Sequence, residues 1–330
     1  MKKISQTGIR AENIRSIFRV MLSSDTPVSR SEIAEKTGLS LMTVGKVADH
    51  MISEGIVTQS KPVTGSAGRR AGKLELTRKH FMLVANISDT VYTSTALDMR
   101  LKEIDRISYR YSDSLSCEDN LMIFFRETST FLLGLLTSHR LAGMGICTGG
   151  SGGKANPAPD VEKIMKGALG FSADIITDCL SASVRSRTAE LPPELRECTL
   201  HLVLDSALSG CVASDGKKIS ADSDFASLRC ENGKTLLRTF EEETDEEVLA
   251  AQLCYALKPI LRVLSPRALL VDASSRVFTE WFPGILRREL HSVSPETVLF
   301  FDRESEAQSD IGTAKILRRD WIERLASPGK

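Results

Sequence analysis

The sequence lacks any cysteine pairing scheme, any long apolar run and any net charge, and the first two absences each exclude a class of protein. Its seven cysteines (Cys117, Cys147, Cys179, Cys198, Cys211, Cys230, Cys254) are an odd set without a C-x-x-C pair. That excludes a disulfide framework and a zinc ribbon and predicts reduced thiols in or near cores. No apolar stretch reaches the roughly 18 residues of a membrane-spanning helix. The first ten residues, MKKISQTGIR, lack the apolar segment of a signal peptide, so a cytoplasmic protein without a membrane partner is expected. His50, His80, His139, His201 and His291 are scattered, with no pair at ligand spacing, and no structural metal is expected. A hydrophobic content of 42% is that of an ordinary globular protein, and 330 residues exceed one comfortable core, which predicts two or three domains.

The 43 basic and 43 acidic residues cancel over the whole chain but not along it. Residues 1–80 carry 14 Lys and Arg against 7 Asp and Glu, and the remainder carries 29 against 36, so a net of +7 faces a net of −7. The basic part contains the most informative stretch, VSRSEIAEKTGLSLMTVGKVADHM at 28–51. Ser29 with Glu32 makes a capping box that starts one helix, Gly38 turns the chain, and Ser40 caps a second helix. Ala34, Val44 and Val47 fall where the two helices touch. An apolar-periodic helix precedes them (Ile14, Ile17, Phe18, Val20, Met21, Leu22). A strand at 56–58, a glycine-rich loop at 65–73 and a strand at 74–76 follow.

This order predicts a winged helix-turn-helix. Its second helix would offer Ser40, Met42, Thr43, Gly45 and Lys46 to a major groove, and its wing would offer Gly68, Arg69 and Arg70 to phosphates or a minor groove. Arg69 and Arg70 rank first as DNA contacts because guanidinium forks suit phosphates. Thr43 and Lys46 follow, then Met42 for thymine methyl groups, Ser40, whose cap role competes, and Lys73. A protein-docking module is the alternative use of the same architecture.

Past residue 76 the pattern changes to strands alternating with helices, which places a boundary at 79 and domains at 1–79 and 80–330. Strands are expected at 81–85, 93–99 and 104–111, a helix at 118–136, a strand at 141–148, a short strand ending at 176 and a helix at 180–190. Segments 200–204 and 210–214 read as a hairpin closed at Asp215-Gly216. Thr244 and Glu247 read as a capping box for a long helix through Leu264, stopped by Pro266. A buried parallel strand at 268–272 follows. Helices at 276–290 and 310–325 bracket a strand at 297–301. The class is α/β.

Five segments in this order resemble the ROK family (repressors, open reading frames, kinases). They are Gly68-Arg69-Arg70 before Leu74-Glu75-Leu76, GMGICTGG from Gly143, TDCLSASV from Thr177, LKPILRVLSPRALLVD from Leu257 and IGTAKI from Ile311. Ala71 departs from the proline that the family places after its paired arginines. The resemblance implies a two-lobed actin/hexokinase-like (ribonuclease H-like) domain behind the winged helix-turn-helix.

Kinases of this family hold ATP on glycine turns, where backbone N–H groups approach the phosphates. Here the first turn reads Asn86-Ile87-Ser88-Asp89-Thr90, the second Asp205-Ser206-Ala207-Leu208-Ser209-Gly210-Cys211, and the glycine pair that receives adenosine reads Asp272-Ala273. Asp178 matches the family's catalytic base and is the vestigial base position and a candidate effector contact; it could equally cap the helix that follows. Leu180 replaces a sugar-binding asparagine. The family's zinc loop reads Leu228-Arg229-Cys230-Glu231-Asn232-Gly233-Lys234, with one cysteine and no histidine.

The expected protein is therefore a transcriptional regulator, a repressor of carbohydrate-related genes, with a catalytically dead kinase-like domain, no cofactor and no metal. Its expected partners are a double-stranded DNA operator, a second copy in a homodimer or tetramer, and a sugar or other small-molecule effector. The alternatives are a sugar kinase with an attached DNA-binding domain and a protein-interaction scaffold.

Overall fold

The computed structural model describes residues 6–24, 26–60, 64–65, 68–69, 72–88, 91–148, 160–204, 208–219, 223–273, 278–302 and 305–326. The N-terminal module comprises α1 (Gln6–Leu22), α2 (Arg30–Thr37), α3 (Leu41–Ser53), β1 (Val57–Gln59), β2 (Thr64–Gly65), β3 (Gly68–Arg69) and β4 (Leu74–Leu76). β1 pairs antiparallel with β4, Val57 opposite Leu76, and the short β2 and β3 pair beyond them, Thr64 opposite Arg69. Three helices with a two-stranded wing make a winged helix-turn-helix.

The first lobe runs through β5 (His80–Ile87), β6 (Val91–Asp98), β7 (Glu103–Arg110), α4 (Cys117–Leu136), β8 (Arg140–Thr148), α5 (Val161–Leu169), β9 (Ile175–Asp178) and α6 (Cys179–Glu190). The second runs through β10 (Thr199–Val203), β11 (Ser209–Ser214), β12 (Lys217–Lys218), β13 (Ser223–Asp224), α7 (Leu236–Glu242), α8 (Glu246–Leu264), β14 (Ala268–Asp272), α9 (Phe282–Val293), β15 (Val298–Asp302) and α10 (Ser305–Ala326). The sheets are ordered β7-β6-β5-β8-β9 and β12-β11-β10-β14-β15, with β13 against β11. In both, three antiparallel strands are extended by two parallel ones. This repeated lobe is the actin/hexokinase-like architecture. No described helix is long and apolar enough to cross a membrane.

Strand β5 is buried on both faces, as the pleat requires of a strand covered on two sides. Phe81, Leu83 and Ala85 join the core under α4 and α5, while Met82 and Val84 join a core on the opposite face. That second core does not stop at the lobe. It continues through Leu317, Trp321 and Ile322 of α10 into Ile14, Ile17 and Phe18 of α1. The Phe18 and Trp321 rings meet edge to face at 6.3 Å, and His80 lies 5.3 Å from Trp321. Arg100 donates to the carbonyls of Met21 at 3.2 Å and Leu22 at 3.5 Å, satisfying acceptors left open at the end of α1. The chain changes pattern between Leu76 and His80, yet the apolar interior runs through.

Three local expectations are corrected. Asp215-Gly216 does not close the β10–β11 hairpin, which returns through 204–208. Both residues have positive φ (49° and 74°) and close β11 onto β12, the backbone that a two-residue hairpin demands. The cap of α8 is Asp245, whose Oδ1 accepts from the N–H groups of Glu247 and Val248, while Thr244 N–H donates to Glu243. The helix expected from 276 begins at Phe282, with Pro283 in its first turn, because Thr279 N–H is already tied to Glu246 at 2.7 Å.

Candidate nucleic-acid interface

The helix-turn-helix assembles from short-range rules. Ser29 Oγ accepts from Glu32 N–H at 3.2 Å, and Glu32 Oε2 accepts from Ser29 N–H at 2.6 Å. These bonds hold the Glu32 carboxyl below its ordinary value. Gly38 sits at φ 70°, where a side chain is strained, and its N–H closes α2 on Ala34. Ser40 Oγ accepts from Thr43 N–H at 3.1 Å to start α3. Ile33, Val44, Val47, Ala48 and Met51 fill the interior between the helices.

What remains outside is the candidate reading surface. Leu41 and Met42 are 61% and 71% exposed, and Lys46 is exposed one turn further on. An apolar side chain left in water at a helix start is the residue type that can meet a thymine methyl group. Thr43 is only half exposed, and its hydroxyl lies 2.9 Å from the Ser40 hydroxyl, so both serve the cap first. Continuing the stripe by helical spacing from Met42 and Lys46 leads to Asp49 and Ser53, both exposed. Asp49 is a carboxylate on this face that sequence reasoning overlooked. The spacing was legible, but its partner Arg30, 19 residues away and 2.6 Å distant, was not.

At the wing's base, Ser60 N–H donates to Lys73 O at 2.8 Å and Lys73 N–H to Ser60 Oγ at 3.0 Å, leaving the Lys73 side chain exposed. A Cβ on Gly72 would collide with the Ser60 carbonyl, so the two chains approach this closely only through glycine. Leu74 exchanges both backbone hydrogen bonds with Val28, tying the wing to the residue before α2. The backbone of Arg69 lies in β3; Arg70 and Ala71 lie outside the described residues. Ser40, Met42, Thr43 and Lys46 thus share one end of α3, with Lys73 in the wing. Asp178 is elsewhere, at the β9–α6 junction.

Asp178 is the N-cap of α6. Its Oδ1 accepts from Ser181 N–H at 2.7 Å, and Lys218 Nζ lies 3.4 Å away. Burial raises its pKa, but the Ser181 bonds and the Lys218 ammonium outweigh that and hold it below the ordinary aspartate value. A carboxylate so engaged is a weak proton acceptor.

Two described positions at these turns, Asn86 and Asp272, are engaged within the fold as well. Asn86 Nδ2 donates to Ser309 Oγ at 2.8 Å and Asp310 Oδ1 at 3.1 Å, while Thr95 donates to Asp310 Oδ2 at 2.8 Å. Asp272 is fully buried: Ser183 Oγ donates to its Oδ2 at 2.7 Å, His201 Nε2 lies 2.6 Å from the same oxygen, and Arg187 Nε lies 3.3 Å from Oδ1. Desolvation raises the Asp272 pKa, and His201, Arg187 and Ser183 outweigh it and lower it. These side chains point into the protein, not toward a phosphate. Asp89 and Asp205 lie outside the described residues.

Beside the second turn, Leu204, Leu208, Leu236, Phe240, Leu249, Leu253 and Phe282 pack into an apolar cluster that leaves no room for a water molecule. The zinc that the family's loop carries does not fit here, because Cys230 is a single buried thiol whose pKa is pushed up by desolvation. Among the described residues no three His, Cys, Asp or Glu side chains gather into a metal site.

No protein-family model matches the chain, and no curated protein does. Among solved structures, it is similar to a ROK family transcriptional regulator that is a homolog of the E. coli Mlc protein. The TM-score is 0.66 at 12% identity, covering 97% of this chain and 100% of that one. A ROK family glucokinase from Streptomyces griseus, in complex with glucose and AMPPNP, matches at TM-score 0.51 and 10% identity over 72% of this chain and 98% of that one. The inorganic polyphosphate/ATP-glucomannokinase of Arthrobacter sp. strain KM matches at TM-score 0.51 and 13% identity over 72% and 98%. The kinases account for a share about the size of the two lobes, whereas the regulator accounts for nearly the whole chain. Over that length the chain has the fold of a ROK family transcriptional regulator: a winged helix-turn-helix ahead of two actin/hexokinase-like lobes.

Proposed function

We propose that this chain is a DNA-binding transcriptional regulator, a repressor of carbohydrate-related genes, in which a catalytically dead kinase-like domain (80–330) serves a reading domain (1–79). The observation that carries this reading is the outward stripe of α3. Leu41, Met42 and Lys46 stand in solvent on a fully capped helix, beside a wing, in the part of the chain with a net charge of +7. Arg69, Arg70 and Lys73 supply phosphate contacts from the wing. The lobes form a homodimer, so that two recognition helices meet a two-fold related operator with half-sites one or two helical turns apart. A sugar or another small molecule at the cleft near Asp178 would lower operator affinity by linkage.

The inward-facing Asn86 and Asp272 speak against the kinase alternative. The test is fluorescence anisotropy with DNA from upstream of the chain's own gene, scrambled DNA, a salt series and Arg69→Ala/Arg70→Ala protein. Tight binding to the upstream DNA, steep in salt and lost in the double variant, supports the regulator. Equal weak binding to both DNAs overturns it in favour of a protein-interaction scaffold.

A further inference from the structure

An acid on the reading stripe calls for a reason. Asp49 follows Met42 and Lys46 along the outward face of α3, its side chain 66% exposed. Facing a phosphate polyanion, a lone carboxylate there would weaken binding. It is not alone. Arg30, the first residue of α2, places Nη2 2.6 Å from Asp49 Oδ1 and 3.4 Å from Gln59 Oε1 at the end of β1. Gln59 Nε2 in turn donates to the Gly72 carbonyl at 3.3 Å, two residues before β4. One guanidinium therefore joins α2, α3 and β1, and through Gln59 it reaches the residue before Lys73. The Arg30 side chain is only 30% exposed and its Nε is buried, so it lies across the helix junction and does not reach into solvent as a phosphate clamp does.

From this geometry we infer that Arg30 is a positioning residue for DNA specificity. It fixes the recognition helix against the wing so that both enter their grooves in one register, and it neutralises the carboxylate that α3 carries toward the DNA. The inference rests on the regulator reading above. Both acceptors are met by the one nitrogen, Nη2, so a long cationic side chain is what the bridge requires and Arg30→Lys is the conservative variant. A half-exposed ion pair contributes little to folding, so its loss is expected to leave the fold intact while loosening the arrangement of the two reading elements.

The test has a DNA-free arm and a DNA arm, run on full-length wild type, Arg30→Ala, Arg30→Lys, Asp49→Asn and the exchanged pair Arg30→Asp/Asp49→Arg. In amide hydrogen exchange, Arg30→Ala is expected to speed exchange over residues 57–76 while α1 and the melting temperature stay at wild-type values. In binding, the ratio of operator to scrambled-DNA affinity is expected to fall at least tenfold in Arg30→Ala, with the salt slope unchanged, and to recover in part in Arg30→Lys and in the exchanged pair.

Unchanged exchange together with an unchanged affinity ratio overturns the proposal. Equal loss on both DNAs with a salt slope smaller by about one also overturns it, because Arg30 would then be a phosphate contact. A wild type that does not discriminate between the DNAs overturns the regulator reading and the specificity role with it. Faster exchange in Arg30→Ala would then leave only a structural bridge, so the two failures are told apart.

Discussion

The turns of the N-terminal module and the turns of the two lobes use the same polar residue types to opposite ends. At the helix-turn-helix, Ser29, Glu32 and Ser40 bond to their own backbone within three residues, which leaves the neighbouring Leu41, Met42 and Lys46 in solvent with no polar partner among the described residues. At the lobes, Asn86 and Asp272 are drawn inward by partners far along the chain, Asp310 on α10 and Ser183 on α6. A site for a charged ligand needs donors that the fold has not used. The module keeps its outward groups available, and these two lobe positions have theirs committed to buried networks, where each polar atom must be satisfied.

The largest effect that would sharpen this comparison is expected at Asp272. Asp272→Ala strips His201 and Ser183 of their acceptor and is predicted to cost about 3–5 kcal/mol in denaturant unfolding. On the surface of α3, Lys46→Ala is predicted to stay within about 0.5 kcal/mol. Trp321→Ala, which removes the ring between Phe18 and His80, is predicted to cost about 3 kcal/mol. It should also split one calorimetric transition into two as α1 loses its seat on α10.

A smaller loss is expected on mild acidification. Desolvation comes first in holding the His80 pKa below its ordinary 6.5, with Arg140 adding to it. The folded chain therefore resists a proton that the unfolded chain accepts, and stability should decline as pH falls from about 6.5 toward the lowered folded value. His80→Phe should flatten that decline in a series of melts. Among the lobe positions the smallest effect is expected at Asp178, whose side chain is 42% exposed. Removing this cap with Asp178→Ala should cost about 1 kcal/mol, less whatever solvent screening takes from the Lys218 pair. Its depressed pKa means that the wild-type advantage is present above the ordinary aspartate value and is lost as pH falls through the lower folded value. Stability melts at neutral and acid pH would read both.

Legibility in the sequence followed distance along the chain. The caps at Ser29 and Ser40 and the turn at Gly38 involve neighbours three or four residues apart, and the longer strands could be followed from alternation, whereas α5, β12, β13 and α7 could not. Errors arose where two local signals competed. Asp215-Gly216 is a sound hairpin turn, but it belongs to β11 and β12, because the return from β10 already occupies 204–208. Contacts made by folding across long separations were not legible at all. Asn86 and Asp310 stand 224 residues apart, Phe18 meets Trp321 near the other end of the chain, and Arg30 crosses to Asp49 without any periodic signal. Helical spacing would have sufficed to place the overlooked Asp49 on the face of α3, and only the structure supplied the charge that accompanies it.

The central claim, that the outward face of α3 is open to a ligand while Asn86 and Asp272 of the lobes are committed to buried partners, is tested most directly by isothermal titration calorimetry of one preparation with two ligands in turn, upstream operator DNA and ATP with magnesium. The account predicts saturable heat with the DNA and none with ATP. Saturable ATP binding by a protein indifferent to the DNA would contradict it.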